Sequence, residues 1–585
     1  MIKFKITSEQ EGIIEHIKSG KDLKVLANAG SAKTTSLVLA AEECVTPILY
    51  LTFNRNMADE AREKFPSWVE VRTTHSLAYQ KYGDLYRNKL KRPVGGYKNV
   101  CGTPSEVAKY FKISPIKAAN DVWITSSAIG KAVLDTLKDF EYSDKENIIK
   151  GDVSLSGLKK FMKNLPFKEF IKSVGRKQFE EYENVVYKNA SALWKLRIDA
   201  KSNILINHDT YLKLYQLSKP DLSEYNIIMI DEAHDSNLCV VDIIKNQDVQ
   251  KVVVGDYKQQ IYSWRGSVNS LDLFDFDVLR LTKSFRYGQN LADIASGITG
   301  NKSMFGWEGL DTKILSNEEP LVSDKYTAIF RTNAAMLQDA MEKITQGVKV
   351  NIEIDLRDFV SLVESALSLK QEDFKGVKHP SLLAYESWKE LLGDREFLNG
   401  DTQRVIGLIE NGGIYSVLGA LRGHRNSKEP DVTYITASKS KGLEWDHVVL
   451  GNDFPRLNAG ECVKVSNPTE ENNILYVAAT RARKSLMIND CVQDYITSSK
   501  EDNVSEEFNN VKLGVTSIIG VSKEMLDDCS KDIEEHELNK ILMPKEDDME
   551  SVRSVKNLTN PLSNYFIGTE DKHHNNSNFD QLEEY

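Results

Sequence analysis

Cysteine is scarce: six thiols in 585 residues, at 44, 101, 239, 462, 491 and 529, none of them in a C-x-x-C pair. That pattern excludes a disulfide framework or a cysteine zinc site as the organising principle, and the thiols read as structural groups kept in a reducing compartment. No apolar run of about 18 residues exists that could span a bilayer as a helix. The first residues, MIKFKITSEQEG, hold no apolar stretch of signal-peptide length, so secretion is not expected, and a cytoplasmic or nucleoid or nuclear DNA-associated location is. Repeats of 20–50 residues are missing, which excludes a solenoid or propeller. An excess of positive charge is missing too: 75 Lys and Arg stand against 86 Asp and Glu, a net charge of −11. That balance speaks against a general nucleic-acid coat and leaves local patches open.

What is present suits several globular domains of ordinary size, each with apolar content for its own core. Short runs rich in β-branched residues, LKVLA, TPILYLTF, WVEVRTTH, YNIIMIDEAH, QKVVVGD and DVLRLTKSFR, alternate with amphipathic stretches. They predict buried parallel strands and a doubly wound α/β sheet. A second set, YTAIFRTN, DVTYITAS, DHVVLGND and KSLMIND, predicts a second sheet of the same kind. Between the strands of each set lies a mostly helical insertion. The expected layout is a first core from 1–90 and 206–285 with an insertion at 91–205. A second core follows from 286–345 and 431–500, with a short insertion at 346–430. An acidic, polar tail at 501–585 has the composition of a flexible segment.

Residues 156–202 carry eleven Lys and Arg against five Asp and Glu, with aromatics interleaved. The mixture fits a nucleic-acid backbone and equally a solvated basic helical face.

VLANAGSAKTTS (25–36) has the spacing of a phosphate-binding loop, G-x-x-x-x-G-K-[ST], with alanine at both glycine positions, Ala27 and Ala32. LKVLA reads as its strand, NAGS as the turn, and AKTTSLVLAAEEC as a helix whose first turn holds the lysine. Backbone N–H groups and the positive helix end would then hold phosphate oxygens around Gly30, Ser31 and Ala32. Lys33 would reach the β- and γ-phosphates, Thr34 would ligate Mg²⁺, and Thr35 follows in the same turn. Gly30 can take a positive φ, whereas the methyl of Ala32 constrains phosphate approach. About 200 residues later, YNIIMIDEAH supplies a strand ending in acids, with Asp231 to hold Mg²⁺ and Glu232 to orient and deprotonate a water.

With these two segments placed, the order of motifs resembles a superfamily 1A helicase of the UvrD/Rep/PcrA type, and especially its F-box DNA helicase branch. The loop pattern of that family is A-x-x-G-x-G-K-T, so Ala27 and Gly30 fit it and Ala32 is the one departure. TSEQ resembles the Q motif, with Gln10 on the adenine edge. LTFNRNMADEA, holding Phe53 and Asn54, resembles motif Ia, and RTTHSLAY, holding Thr74 and His75, the next motif. VVGDYKQQIYSWRGS resembles motif III, with Gln259 sensing the γ-phosphate and Tyr262 and Trp264 towards DNA. LTKSFRY resembles motif IV, placing Phe285 against adenine and Arg286 on the γ-phosphate. AIFRTNAAM, with Arg331 and Asn333 near the cleft or DNA, resembles motif IVa. TYITASKSKGLEWDHVVL resembles motif V, with Thr436 and Ser438 on DNA and Glu444 on the nucleotide. NILYVAATRARKSL resembles motif VI, with Arg481 as a second arginine finger.

The resemblance implies two RecA-like cores, ATP and Mg²⁺ in the cleft between them, single-stranded DNA and single-/double-strand junctions as substrate, 3′→5′ movement and a monomer. His234 stands where the family usually has Gln, and Ser438 where relatives carry His. A different reading, an ATP-binding DNA clamp with little turnover, is motivated by Ala32 and Ser438; a helicase–nuclease fusion lacks a clustered acidic motif in the tail. Within that tail, TNPLSNYF (559–566) resembles a sliding-clamp-binding peptide with Thr559 in place of Gln, and is also readable as an incidental apolar cluster.

Overall fold

The structure is a computed structural model that describes residues 6–52, 54–90, 101–158, 161, 167–262, 269–379, 381–382, 385, 387–395, 398, 400–412, 414, 418, 426–455, 467–494 and 496. Phe53, Trp264, the tail and its 559–566 peptide lie outside the described residues.

Fourteen strands are described. In chain order they are β1 (Leu23–Ala27), β2 (Ile48–Thr52), β3 (Val69–Thr73), β4 (Ile116–Lys117), β5 (Trp123–Ile124), β6 (Ile227–Ile230) and β7 (Gln250–Gly255). There follow β8 (Asp277–Leu281), β9 (Lys313–Leu315), β10 (Tyr326–Phe330), β11 (Val350–Ile352), β12 (Val432–Thr436), β13 (Trp445–Leu450) and β14 (Ala482–Met487). They build two six-stranded sheets, β3-β2-β6-β7-β1-β8 and β11-β12-β10-β13-β14-β9, in which every pairing is parallel. A sheet of this kind is covered on both faces, which is why β2 and β6 are buried along their whole length and, Thr52 apart, are written in apolar and aromatic residues. Two apolar clusters sandwich the first sheet: one holds Ile13, Leu37, Ala40 and Val252, the other Leu49, Leu212, Ile228 and Ile244. The doubly wound architecture predicted from the strand runs is therefore present twice.

Strand order positions the site. β6 lies beside β7 and β7 beside β1, so the loops leaving the carboxyl ends of three neighbouring strands open on one patch. Those loops are the lysine loop after Ala27, Asp231–Glu232 after Ile230, and the segment from Asp256 to Gln259 after Gly255. On the other side of β1, β8 delivers Thr282 to Arg286 to the same rim.

Among the described residues the first insertion is helical apart from the antiparallel pair β4–β5, and is tied to its core by buried polar contacts. The Glu141 carboxylate, fully buried, accepts from Arg197 Nη1 at 2.9 Å, Thr210 Oγ1 at 2.6 Å and Asn207 Nδ2 at 3.1 Å. Lys89 donates to the carbonyls of Leu196, Arg197 and Asp199, which close the C-terminal end of the long helix Arg176–Ile198.

Two edge strands of the second sheet are absent from the sequence reading, β9 and β11. Three residues give no alternation long enough to register as a strand. β11 falls inside the stretch assigned to the second insertion, and its register, Val350 to Val432 through Ile352 to Tyr434, makes it part of the second core.

Candidate nucleotide site

The lysine loop runs from β1 into the helix Lys33–Glu43. Gly30, at φ 73°, accepts from the Phe285 N–H at 2.8 Å, and a Cβ there would meet Ser284 Oγ at 2.6 Å and Arg286 Cβ at 2.7 Å. The glycine is thus required both by its backbone and by the close passage of the 284–286 segment. Ala32 adopts φ 60° and ψ 38°, the left-handed region, and caps the helix without a side-chain hydrogen bond. By contrast Thr7, Asn54 and Thr73 each cap the helix that follows with their own side chain. The lysine helix is left with its first-turn N–H groups uncapped by a side chain, the arrangement that receives an anion.

Opposite the loop, Lys33 Nζ donates to Glu232 Oε1 at 2.8 Å and Thr34 Oγ1 donates to Asp231 Oδ2 at 2.8 Å. Tyr50, buried in β2, donates to the same Asp231 oxygen at 2.8 Å, while Asp231 Oδ1 accepts the Glu232 N–H at 2.8 Å. Burial works to raise the Glu232 carboxyl, but Lys33, then His234 and Lys441, overcome it and hold the group below the ordinary carboxylate range. Burial and then the Glu232 charge raise Asp231. Lys33 is pulled down by desolvation, and Glu232, Asp231 and Asp256 more than reverse this, so its ammonium is secured. Two buried atoms here, Ser31 Oγ and Glu232 Oε2, have no hydrogen-bond partner, and the hydroxyl of Thr34 beside the Asp231 carboxylate is an oxygen donor set that suits a hard cation such as Mg²⁺.

Gln259 lies on the next loop with Nε2 donating to Asp256 Oδ2 at 2.8 Å. The second core supplies the far wall. Arg286 Nε donates to Glu444 Oε2 at 2.7 Å and its Nη1 to the Thr480 carbonyl at 3.2 Å. Arg481 is buried, donating to the carbonyls of Val477 and Leu443, with Nη2 3.5 Å from Gln259 Oε1. Burial, then the neighbouring Arg286, push its guanidinium down to about 9.

Several sequence-singled residues are engaged within the protein. Gln10 sits in a capping box with Thr7 and donates to Ser36 Oγ at 3.1 Å, joining its helix to the lysine helix. Asn54 caps the helix Arg55–Lys64. His75 pairs with Asp209 at 3.0 Å, and Tyr262 donates to the Ser438 carbonyl at 3.0 Å. Thr436, at the end of β12, is buried, Thr74 half-buried and Thr35 exposed. Arg331 makes a bidentate pair with Glu471, both contacts 2.7 Å, so its guanidinium is already spent on a partner from the helix Pro468–Ala479.

Three residues of the site were missed from sequence. Tyr50 could have been found, because a tyrosine in an otherwise apolar, fully buried strand needs a partner for its hydroxyl. Tyr476 accepts from the Ala29 N–H at 3.0 Å and donates to Asp256 Oδ2 at 3.1 Å, and Lys441 reaches across to Asp235 Oδ2 at 2.5 Å. These two bridge the cores, and no local signal marks them.

Residues 6–274 match the UvrD/REP helicase N-terminal domain and residues 195–493 the UvrD-like helicase C-terminal domain. The chain belongs to the UvrD-like helicase family. Among curated relatives of this helicase-family chain, F-box DNA helicase 1 of Gallus gallus is 30% identical over 85% of this chain and 50% of its own length. F-box DNA helicase protein 1 of Schizosaccharomyces pombe is 28% identical over 83% of this chain and 58% of its own length. ATP-dependent DNA helicase PcrA of Leuconostoc citreum is 23% identical over 48% of this chain and 37% of its own length. The chain thus spans half to three-fifths of the length of its two F-box relatives. No helix among the described residues is long and apolar enough to cross a membrane.

Proposed function

We propose that this UvrD-like chain is an ATP-hydrolysing DNA helicase, a motor that moves 3′→5′ on single-stranded DNA and opens single-/double-strand junctions or displaces bound protein. The observation that carries the reading is that the Lys33–Glu232 and Thr34–Asp231 pairs and Gln259 of one core face arginines of the other, with Arg481 Nη2 3.5 Å from Gln259 Oε1 and Arg286, paired to Glu444, packed against Gly30. Family membership supports ATP with Mg²⁺ as the nucleotide.

Thr34 and Asp231 would hold Mg²⁺, which when bound offsets charge on the β- and γ-phosphates. Lys33 exchanges Glu232 for phosphate oxygens, and the freed carboxylate takes the proton of the attacking water, a contribution of about 10²–10⁴ in rate. Gln10 and Phe285 would receive the adenine, and Gly30, Ser31 and Ala32 the phosphates. Arg286 and Arg481 answer the charge that develops on the γ-phosphate, an effect of about 10³–10⁵ for an arginine finger. Because they stand on the opposite core, hydrolysis is tied to cleft closure. DNA contacts are proposed for Phe53, Asn54, Thr74, His75, Tyr262, Trp264, Thr436 and Ser438, with Arg331 available only if it leaves Glu471.

The test is ATP turnover with and without single-stranded DNA, alongside unwinding of 3′-tailed and 5′-tailed duplexes. Expected are DNA-stimulated turnover, preference for the 3′ tail, loss of ATP binding in Lys33→Ala and retained binding with little turnover in Glu232→Gln. Absence of DNA-stimulated turnover would favour the clamp reading, and a Glu232→Gln chain that hydrolyses normally would sink the assignment of the base.

A further inference from the structure

His234 and Ser438 depart from the family pattern in different cores, and a single side chain stands between them. Lys441 donates to Asp235 Oδ2 at 2.5 Å and to the Gln259 carbonyl at 2.7 Å, and its ammonium lies 2.9 Å from His234 Nε2. The same ammonium sits over the Tyr262 ring, 5.3 Å from the centroid, and the Tyr262 hydroxyl donates to the carbonyl of Ser438, three residues before Lys441. Through one cation the second core therefore touches the acidic turn after β6, the loop of Gln259 and the aromatic ring proposed to face DNA.

The chemistry of the cluster argues for a task beyond holding the fold. His234 and Asp235 have no exposed side-chain surface and Lys441 has 8%. Buried ion pairs gain little or no stability over an apolar replacement, because desolvation offsets the attraction. His234 Nδ1 accepts the Asp256 N–H at 3.0 Å, so the opposite ring nitrogen, Nε2, is the one turned to Lys441. Nε2 lies 3.4 Å from Glu232 Oε2, so the ring edge that Lys441 crowds is the edge that meets the water-activating acid.

We propose that Lys441 is a positioning residue that ties the placement of Glu232 and Gln259 to the seat of Tyr262, so that a strand pressing on Tyr262 sets the rate of γ-phosphate cleavage. The inference rests on the motor reading above. A shift of the Tyr262 ring moves its cation, the cation carries Asp235 and the Gln259 carbonyl to which it donates and shifts the His234 edge it abuts, and the first-core groups around the phosphate are re-aimed without any DNA contact of their own.

The readout is the ratio of ATP turnover at saturating single-stranded DNA to turnover without it, in wild type, Lys441→Met, Tyr262→Leu and the double variant. Lys441→Met and Tyr262→Leu are each expected to cut the ratio by about tenfold with ATP KM within about threefold, and the double to fall no further than the worse single, the signature of one shared path. Lys441→Arg should restore part of the ratio by replacing the charge and the donors to Asp235 and Gln259. Where melting shows that Lys441→Met is unfolded, Lys441→Gln, which retains amide donors without charge, takes its place. A stimulated wild-type chain whose Lys441 variant keeps the full ratio, or losses that multiply in the double variant, overturns the inference and leaves the motor standing. A wild-type chain without DNA stimulation overturns both.

Discussion

Ala32 and Glu232 hold the same left-handed backbone conformation, φ 60° and ψ 38° at the first and φ 54° and ψ 38° at the second. One directly precedes Lys33 and the other receives its ammonium, so the ion pair of the loop joins two strained turns. For an L-residue this region costs about 1–2 kcal/mol, and such costs gather where a turn must aim a side chain. At 32 the turn starts a helix with uncapped N–H groups; at 232 it aims the carboxylate at the lysine.

Ala32→Gly should therefore stabilise the protein. Glycine removes the Cβ penalty but gains freedom in the unfolded chain, which leaves a net of about 0.5–1 kcal/mol. A β-branched residue is a genuine outlier in this region, so Ala32→Val should cost more than about 1 kcal/mol. The urea midpoint of the first unfolding transition measures both, and a lower midpoint for Ala32→Gly would show that the methyl is not the source of strain.

The Lys33–Glu232 pair should leave its mark on acid stability. The folded carboxyl binds its proton more weakly than the unfolded one, so the pair contributes fully above the unfolded value of about 4.3 and is lost as pH falls through the lower folded value. Glu232→Gln also leaves Lys33 buried without this partner, so the variant should melt below wild type at neutral pH. The gap should close as the pH drops below about 4. A gap that stays constant from neutral to acid pH would mean that the charge of Glu232 adds nothing.

What could be read in advance follows chain proximity. Lys33, Asp231 and Glu232 each sit one or a few residues past a buried strand, so an apolar run ending in a polar turn located all three, and parallel strand order brought them together. Ala32 was visible as a missing glycine, but its left-handed backbone angle was not, because a spacing pattern carries no dihedral. Lys441 and Tyr476 were not legible, because each acts on the core opposite its own and neither hydrophobic period nor local spacing encodes a contact across 200 residues. β9 and β11 escaped because their three residues take their identity from the neighbouring strand rather than from their own pattern.

Tyr476→Phe should loosen the join between the cores. Ala29 and Tyr476 are fully buried, and the hydroxyl is both acceptor for the Ala29 N–H and donor to Asp256. Burial, and next the Asp256 charge, hold the phenol well above its ordinary range, so it stays protonated and able to donate. Its removal strands a backbone N–H of the phosphate loop, at a cost of about 1–3 kcal/mol. The expected result is a lower melting temperature together with an ATP KM that rises more than kcat falls; unchanged values of both would remove Tyr476 from the loop's support.

Arg331 was expected near the cleft or DNA, and the structure gives it a firm alternative. Its side chain makes two 2.7 Å hydrogen bonds to Glu471, while Asp453 accepts the backbone N–H groups of Arg331 and Thr332 at 2.8 and 2.7 Å. The hydrogen bonds and charge of Glu471 more than offset desolvation and raise the guanidinium further, so the pair is a clamp between the end of β10 and the helix Pro468–Ala479. Lysine cannot reproduce the planar fork, so Arg331→Lys should destabilise nearly as much as Arg331→Ala. In a double-mutant cycle, Arg331→Ala and Glu471→Ala should show a coupling of about 1–3 kcal/mol, with affinity for single-stranded DNA changed less than about threefold. Additive losses combined with a tenfold or greater loss of DNA affinity in Arg331→Ala alone would instead place the arginine on the strand.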